Sequence, residues 1–113
     1  MARLRRYCGS YLLEIENGKI REYCGKYLYE FDNYYVKEYC GRYLYRISQK
    51  QISVYCGRTL LEFDGRYIKE YCGPILYEVS DRYIRKYCGP TLYEIDGFLP
   101  HNALMALIAV LFA

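Results

Sequence analysis

The chain has no tryptophan, a single histidine, only three prolines and no long apolar run, and each shortage excludes something. Its one continuous apolar stretch, Ala103 to Ala113, is about half the roughly twenty residues that a membrane-spanning helix needs. Behind the basic opening Arg3-Leu4-Arg5-Arg6 no apolar segment follows of the kind a secretory signal carries, so the expected location is cytoplasmic. Charge is not segregated either. Sixteen basic and 13 acidic residues are interspersed for a net +3, whereas nucleic-acid binders concentrate base in one stripe. Neither nucleic acid nor a membrane span is expected. Phosphate loop, nucleophile elbow and metalloprotease signatures are all missing. His101 reads as a cap or surface residue beside a helical segment. The expectation is a protein that is not an enzyme and has no cofactor.

What the chain has instead is tyrosine, 17 of its 113 residues, and strict order. Cys8, Cys24, Cys40, Cys56, Cys72 and Cys88 stand sixteen residues apart, each between a tyrosine and a glycine. Four places on, the residue is always leucine (12, 28, 44, 60, 76, 92). Seven places on, it is Ile15, Phe31, Ile47, Phe63, Val79 or Ile95. Fixed self-similarity of this kind is the signature of a repeat architecture.

Each unit holds two short runs rich in Tyr, Ile and Leu, separated by turn chemistry. One turn is Asn17-Gly18, Asp32-Asn33, Asp64-Gly65, Ser80-Asp81 or Asp96-Gly97, pairs that tolerate positive φ. The other is Cys-Gly, where glycine is expected to supply the same freedom. Two strands in every sixteen residues predict an antiparallel meander. Two-residue loops at both turns would set Tyr77 opposite Ile68 on one side and Ile84 on the other. Tyr29, Phe31 and Val36 then share the core face, and Leu28, Glu30, Lys37 and Tyr39 the outer one, with Glu30 diagonal to Lys37.

The ends complete each other. Pro100 stands where a strand isoleucine belongs, and proline cannot donate to a ladder, so the sixth copy lacks its second strand. Arg3–Tyr7 matches a second strand with no first half, and pairing it with Thr91–Ile95 would close twelve strands into a ring. Asn102 is a candidate N-cap for the apolar tail. A helix apolar all round must be surrounded. The predicted fold is therefore all-β with a C-terminal helix: residues 1–113 as one domain, six hairpins over 3–97 in a closed antiparallel meander, and a helical plug over 101–113 inside it. Bulges or splay at the Cys-Gly turns would supply the stagger that a closed barrel requires, and Pro74 and Pro90 point to a turn wider than two residues. The alternative is a two-sided β-solenoid with 16-residue coils.

The recurring Gly-x-Tyr-Leu-Tyr-Glu-Ile-Asp-Gly-x-Tyr-Ile hairpins, followed by an apolar tail, resemble the bacterial β-flower hairpin-repeat proteins of the four-fold and five-fold type. That resemblance implies hairpin petals around a pseudo-symmetry axis and no catalytic residue.

Two functional readings follow. The first is a noncatalytic structural or interaction module. Tyr7, Tyr23, Tyr39, Tyr55, Tyr71 and Tyr87 would form an aromatic rim for an unknown protein or small ligand, and a homo-oligomer stays open. Cross-strand packing is the plainer role for those rings. The alternative is a metal-binding or redox-responsive site made by Cys8, Cys24, Cys40, Cys56, Cys72 and Cys88. Equivalent positions two strands apart lie about 9.6 Å from each other, too far for a disulfide, and the spacing lacks the paired C-x₂-C of zinc sites. Reduced structural thiols are expected.

Overall fold

The computed structural model describes residues 2–113. Twelve strands follow one another around a closed antiparallel barrel. They are β1 (Ala2–Arg6), β2 (Tyr11–Glu16), β3 (Lys19–Glu22), β4 (Tyr27–Phe31), β5 (Tyr35–Glu38) and β6 (Tyr43–Ile47), then β7 (Gln51–Val54), β8 (Thr59–Phe63), β9 (Tyr67–Glu70), β10 (Ile75–Ser80), β11 (Tyr83–Lys86) and β12 (Thr91–Asp96). Helix α1 (His101–Phe112) ends the chain. Each strand pairs with its sequence neighbours, and β1 pairs with β12, Leu4 facing Ile95 and Arg6 facing Tyr93. The seam is built like every other joint: the Tyr7 N–H donates to the Leu92 carbonyl at 3.0 Å, as Tyr23 does to Leu12 and Tyr39 to Leu28. The closed ring excludes the solenoid.

Register departs from the simplest expectation at one of the two turns. Tyr77 faces Ile68 as predicted, but Ile84 faces Val79, not Tyr77. The reason lies in the loop. Asp64 is not a loop-centre residue; its carboxylate accepts the N–H groups of Arg66 and Tyr67 at 2.9 and 2.8 Å, and Asp32 does the same for Tyr34 and Tyr35. The same register holds in all five hairpins, with the Asx cap at Asp32 and Asp64 and without it at Asn17 and Asp81. The loop centre lies one residue on, where Asn17, Gly65 and Asp81 carry the positive φ, as Gly97 does after the last strand. Glu30 consequently stands directly opposite Lys37 rather than diagonal to it.

At the Cys-Gly turn the loop spans three residues, and the Arg6 N–H donates across it to the Ser10 carbonyl. The leucine four places after each cysteine is the extra residue of a β-bulge: register jumps from Leu4–Leu13 to Arg5–Tyr11 and skips Leu12, and the other five copies repeat it. Leu28 is thus a bulge residue rather than an ordinary outward position. The two turns together displace the ladder by two residues per repeat. Over the ring that stagger tilts the strands by about 35° and sets the wall about 11 Å from the axis, from ordinary strand spacings. A helix with side chains, about 10–12 Å across, fills such a lumen.

The ring is 37 × 34 Å across and 17 Å deep, and a 12-residue helix is about 18 Å long. Gly97 (φ 94°) turns the chain inward after β12. Helix α1 begins at His101 with Pro100 as its N-cap and no side-chain cap; Asn102 bonds only the neighbouring Ala103 N–H. At the start of the helix, His101 Nε2 lies 2.7 Å from the Gln49 carbonyl. At its far end Phe112 stacks on Tyr77, ring centres 4.0 Å apart, and the Tyr45 hydroxyl donates to the Ala113 carbonyl. Met105 to Ala109 are five successive residues with no exposed surface, so every side of the helix is covered. They share one core with Leu4, Ile20, Val36, Ile52, Ile68 and Ile84, one from each second strand, and with Ile15, Ile47, Phe63, Val79 and Ile95 from the first strands; Phe31 and Tyr29 pack against it.

Truncating Leu107 to alanine removes buried surface from this shared core and should lower unfolding free energy by about 2–5 kcal/mol. Urea denaturation checks this. A loss below about 1 kcal/mol would mean that the helix is not a core element.

Candidate functional site

The barrel lumen is occupied, so the features open to a partner lie on the outer wall and the two rims. One rim carries the cysteines. All six are free and exposed, and all six, not the glycines after them, take the left-handed backbone, with φ between 52° and 56°. A non-glycine residue there costs on the order of 1–2 kcal/mol. The glycine serves close approach instead: a Cβ on Gly25 would lie 2.8 Å from Glu22 Cβ, and on Gly41 2.8 Å from Glu38 Cβ. The cysteine turn is thus held by a steric contact that admits only glycine after the thiol. Among the described residues no three Cys, His, Asp or Glu side chains are grouped as metal ligands would be.

The outer wall carries a belt of carboxylates six residues after five of the six cysteines, with Arg46 in that place after Cys40. Glu14, Glu78 and Glu94 are buried although they point away from the core. Each is bracketed by bases from both neighbouring strands or turns: Glu14 by Arg3 (3.2 Å) and Arg21 (2.7 Å), Glu78 by Arg66 (2.8 Å) and Arg85 (2.6 Å), Glu94 by Arg5 and Arg82. Hydrogen bonds from Arg85 and then Arg66 hold the Glu78 carboxyl below the usual range. Desolvation is the largest influence on Glu14 and acts upward, but Arg3, the Cys24 N–H and Arg21 outweigh it and the net direction is down. The carboxylates also reach the cysteine turns: the N–H groups of Cys24, Cys40 and Cys72 donate to Glu14, Glu30 and Glu62 at 3.4, 3.1 and 3.5 Å. The Cys40 N–H is the leading cause of the lowered Glu30 carboxyl.

The strand tilt gathers the tyrosines. A residue eleven places after one cysteine meets the residue three places after the next and the tyrosine before the third. These sets are Arg3–Tyr11–Tyr23, Lys19–Tyr27–Tyr39 and Tyr35–Tyr43–Tyr55 in the first half of the ring. Three tyrosine pairs are stacked there at 5.0, 5.1 and 5.0 Å. Arg3 lies 5.7 and 5.8 Å from the first two rings, and Lys19 lies 5.4 and 6.0 Å from the next two. In the second half Thr59, Ile75 and Thr91 replace the first member of each pair, and Tyr67–Tyr87 and Tyr83–Tyr7 meet edge-on at 5.8 and 5.9 Å. Tyr7, Tyr23, Tyr39, Tyr55, Tyr71 and Tyr87 are all exposed by 40–50% on the cysteine rim. Sequence reading anticipated that rim; it missed that the stack partners are Tyr11, Tyr27 and Tyr43, because stagger between strands decides it. Tyr55 sits beside Cys56, and the thiol is the leading cause that pushes its phenol up.

The fold and this surface define a class: a closed twelve-stranded barrel of tandem hairpins, plugged by its own helix, with a tyrosine-and-cysteine rim. Compared with known proteins, the chain matches no family model, no curated protein and no solved structure. Among the described residues no helix is long and apolar enough to cross a membrane, which leaves strands out of account.

The lowered Glu78 carboxyl fixes a sign for pH dependence. A carboxyl whose folded pKa lies below its unfolded value, near 4.3, stabilises the fold above that value and loses the contribution as pH falls through the folded one. Thermal unfolding followed from pH 6 to pH 2.5 should show Glu78→Gln less stable than the parent at pH 6, the two converging in acid. Parallel curves would remove the Arg66–Glu78–Arg85 cluster from the acid response.

Proposed function

We propose that this protein is a noncatalytic interaction module, a rigid plugged ring that presents a tyrosine surface to a protein partner. The observation that carries the reading is the run of three stacked tyrosine pairs confined to one half of the outer wall, two of them flanked by Arg3 and Lys19 and the third by Tyr35. Packing alone supports a sheet of this kind without them, since the other half has Thr59, Ile75 and Thr91 at the same place. Tyrosine gives large contact area at low entropic cost, and tyrosine and arginine are enriched in interfaces. Kinship with the β-flower proteins is proposed on the repeated hairpin sequence alone, and free exposed thiols support a reducing, cytoplasmic address.

Replacing Tyr27 and Tyr43 together by serine should leave the ring folded, each lost stack removing about 0.5–1.5 kcal/mol. Cross-linking in extracts of the source cell should then show partner capture fall at least several-fold, while Ile75→Ser on the opposite half keeps it. Equal capture by both variants would defeat the reading.

The second reading, a thiol rim that binds metal or senses oxidation, is favoured by one observation: six exposed thiols all sit on residues in an uncommon backbone conformation. A chromogenic thiol reagent should find all six reactive in the native protein. Material purified without chelator, assayed for metal and for spectral change under peroxide, separates the readings. No bound metal and no conformational response to oxidation would dispose of the thiol rim.

A further inference from the structure

In the third repeat Arg46 and Ser53 replace the outer charge pair, and we propose that the groove left there binds a small oxyanion, a carboxylate or phosphate group supplied from outside. In the other copies the glutamate faces a base across the hairpin or the seam, Glu14 against Arg21, Glu30 against Lys37, Glu62 against Lys69, Glu78 against Arg85 and Glu94 against Arg5. In the third copy Arg46 faces Ser53. Both members of the pair change together, so a cation stands where the carboxylate belongs and a hydroxyl where the base belongs. On its other side Arg46 faces Tyr35. None of the ion pairs among the described residues includes Arg46, and its side is exposed.

The turn beyond it shows a second consequence. The cysteine N–H groups at 24, 40 and 72 donate to the glutamate of the preceding copy. At Cys56 that place is held by Arg46, itself a donor, so no carboxylate stands there to receive the N–H; the Cys8 and Cys88 N–H groups are likewise not bonded to Glu94 and Glu78, whose oxygens go to arginines. Arg46, Ser53, Cys56 and Thr59 line one groove of about 300 Å³, with the Ser53 and Thr59 hydroxyls 3.2 Å apart, and no acidic residue lines it. Glu62, on the following strand, is already engaged by Lys69 and the Cys72 N–H. A guanidinium, a pair of hydroxyls bonded to each other and the Cys56 backbone line the groove with no carboxylate among them, donors that an oxyanion satisfies. The ligand would supply the carboxylate that the other copies carry in their own chain. This site adjoins the Tyr35–Tyr43–Tyr55 set but uses none of its rings, so its anion binding is tested independently of the tyrosine surface.

The test titrates the full chain with sodium acetate and, separately, with sodium phosphate at constant ionic strength, reading amide shifts and the Arg46 Nε–H by NMR. Saturable shifts confined to Arg46, Ser53, Cys56 and Thr59 are expected from at least one anion, and which one saturates first assigns carboxylate or phosphate. The double variant R46E/S53K installs the pair found in the other copies, and Arg46→Gln removes charge alone. Each should weaken binding by about tenfold or more, the effect of losing a charged hydrogen-bond partner. Shifts that never saturate, that spread over the basic residues generally, or that survive in both variants overturn the proposal.

Discussion

The structure depends on mutual burial between one apolar helix and a ring of two-faced hairpins. Helix α1 has no charged residue and no polar face, and Met105 to Ala109 need cover on every side. The hairpins carry one isoleucine, valine or leucine per second strand on their inner face, and a twelve-stranded wall without a filling would surround a cavity about one helix wide. Helix length and ring depth agree, and the bulges give the stagger that sets the radius. The hydrophobic term is thus spent in one place, and the outer wall is left to polar and aromatic chemistry.

That division explains the character of the surface. Because the inner positions are filled by the needs of the core, variation between copies appears outside: arginine or lysine beside glutamate, tyrosine or threonine at the rim, and the Arg46–Ser53 replacement in the third copy. The carboxylate belt stitches neighbouring hairpins together and reaches the cysteine turns through their N–H groups. A repeated residue therefore does two local jobs, pairing with a base and stabilising a left-handed turn. At the third copy both the carboxylate and its base are replaced, by Arg46 and Ser53.

Much of the architecture was legible in the sequence because repetition multiplies weak signals. Pro100 in place of a strand residue, together with the half-unit Arg3–Tyr7, was enough to foresee closure between the first and last strands. An uncharged tail was enough to place it inside. The bulges were anticipated in kind though not in position: Leu12 and its equivalents read as ordinary strand residues, since a bulge is a property of the pairing rather than of one chain segment. The one-residue displacement of the Asp-Gly loops was hidden because Asp64 looks like a loop-centre residue and acts as a cap. The left-handed cysteines were hidden by their neighbours, for Gly25 and Gly41 are needed for space and not for φ. The buried state of Glu14, Glu78 and Glu94 depends on arginines from three different segments, which no local pattern reports.

The dependence of ring on plug is most directly measured by native-state hydrogen exchange across urea concentration. The account predicts that the amides of Met105, Ala106, Leu107, Ile108 and Ala109 exchange only through global unfolding, with the same free energy and urea slope as Leu4 and Ile95 at the β1–β12 seam. Helix amides that exchange by local opening while the seam stays protected would show that the ring stands without its plug, and would contradict it.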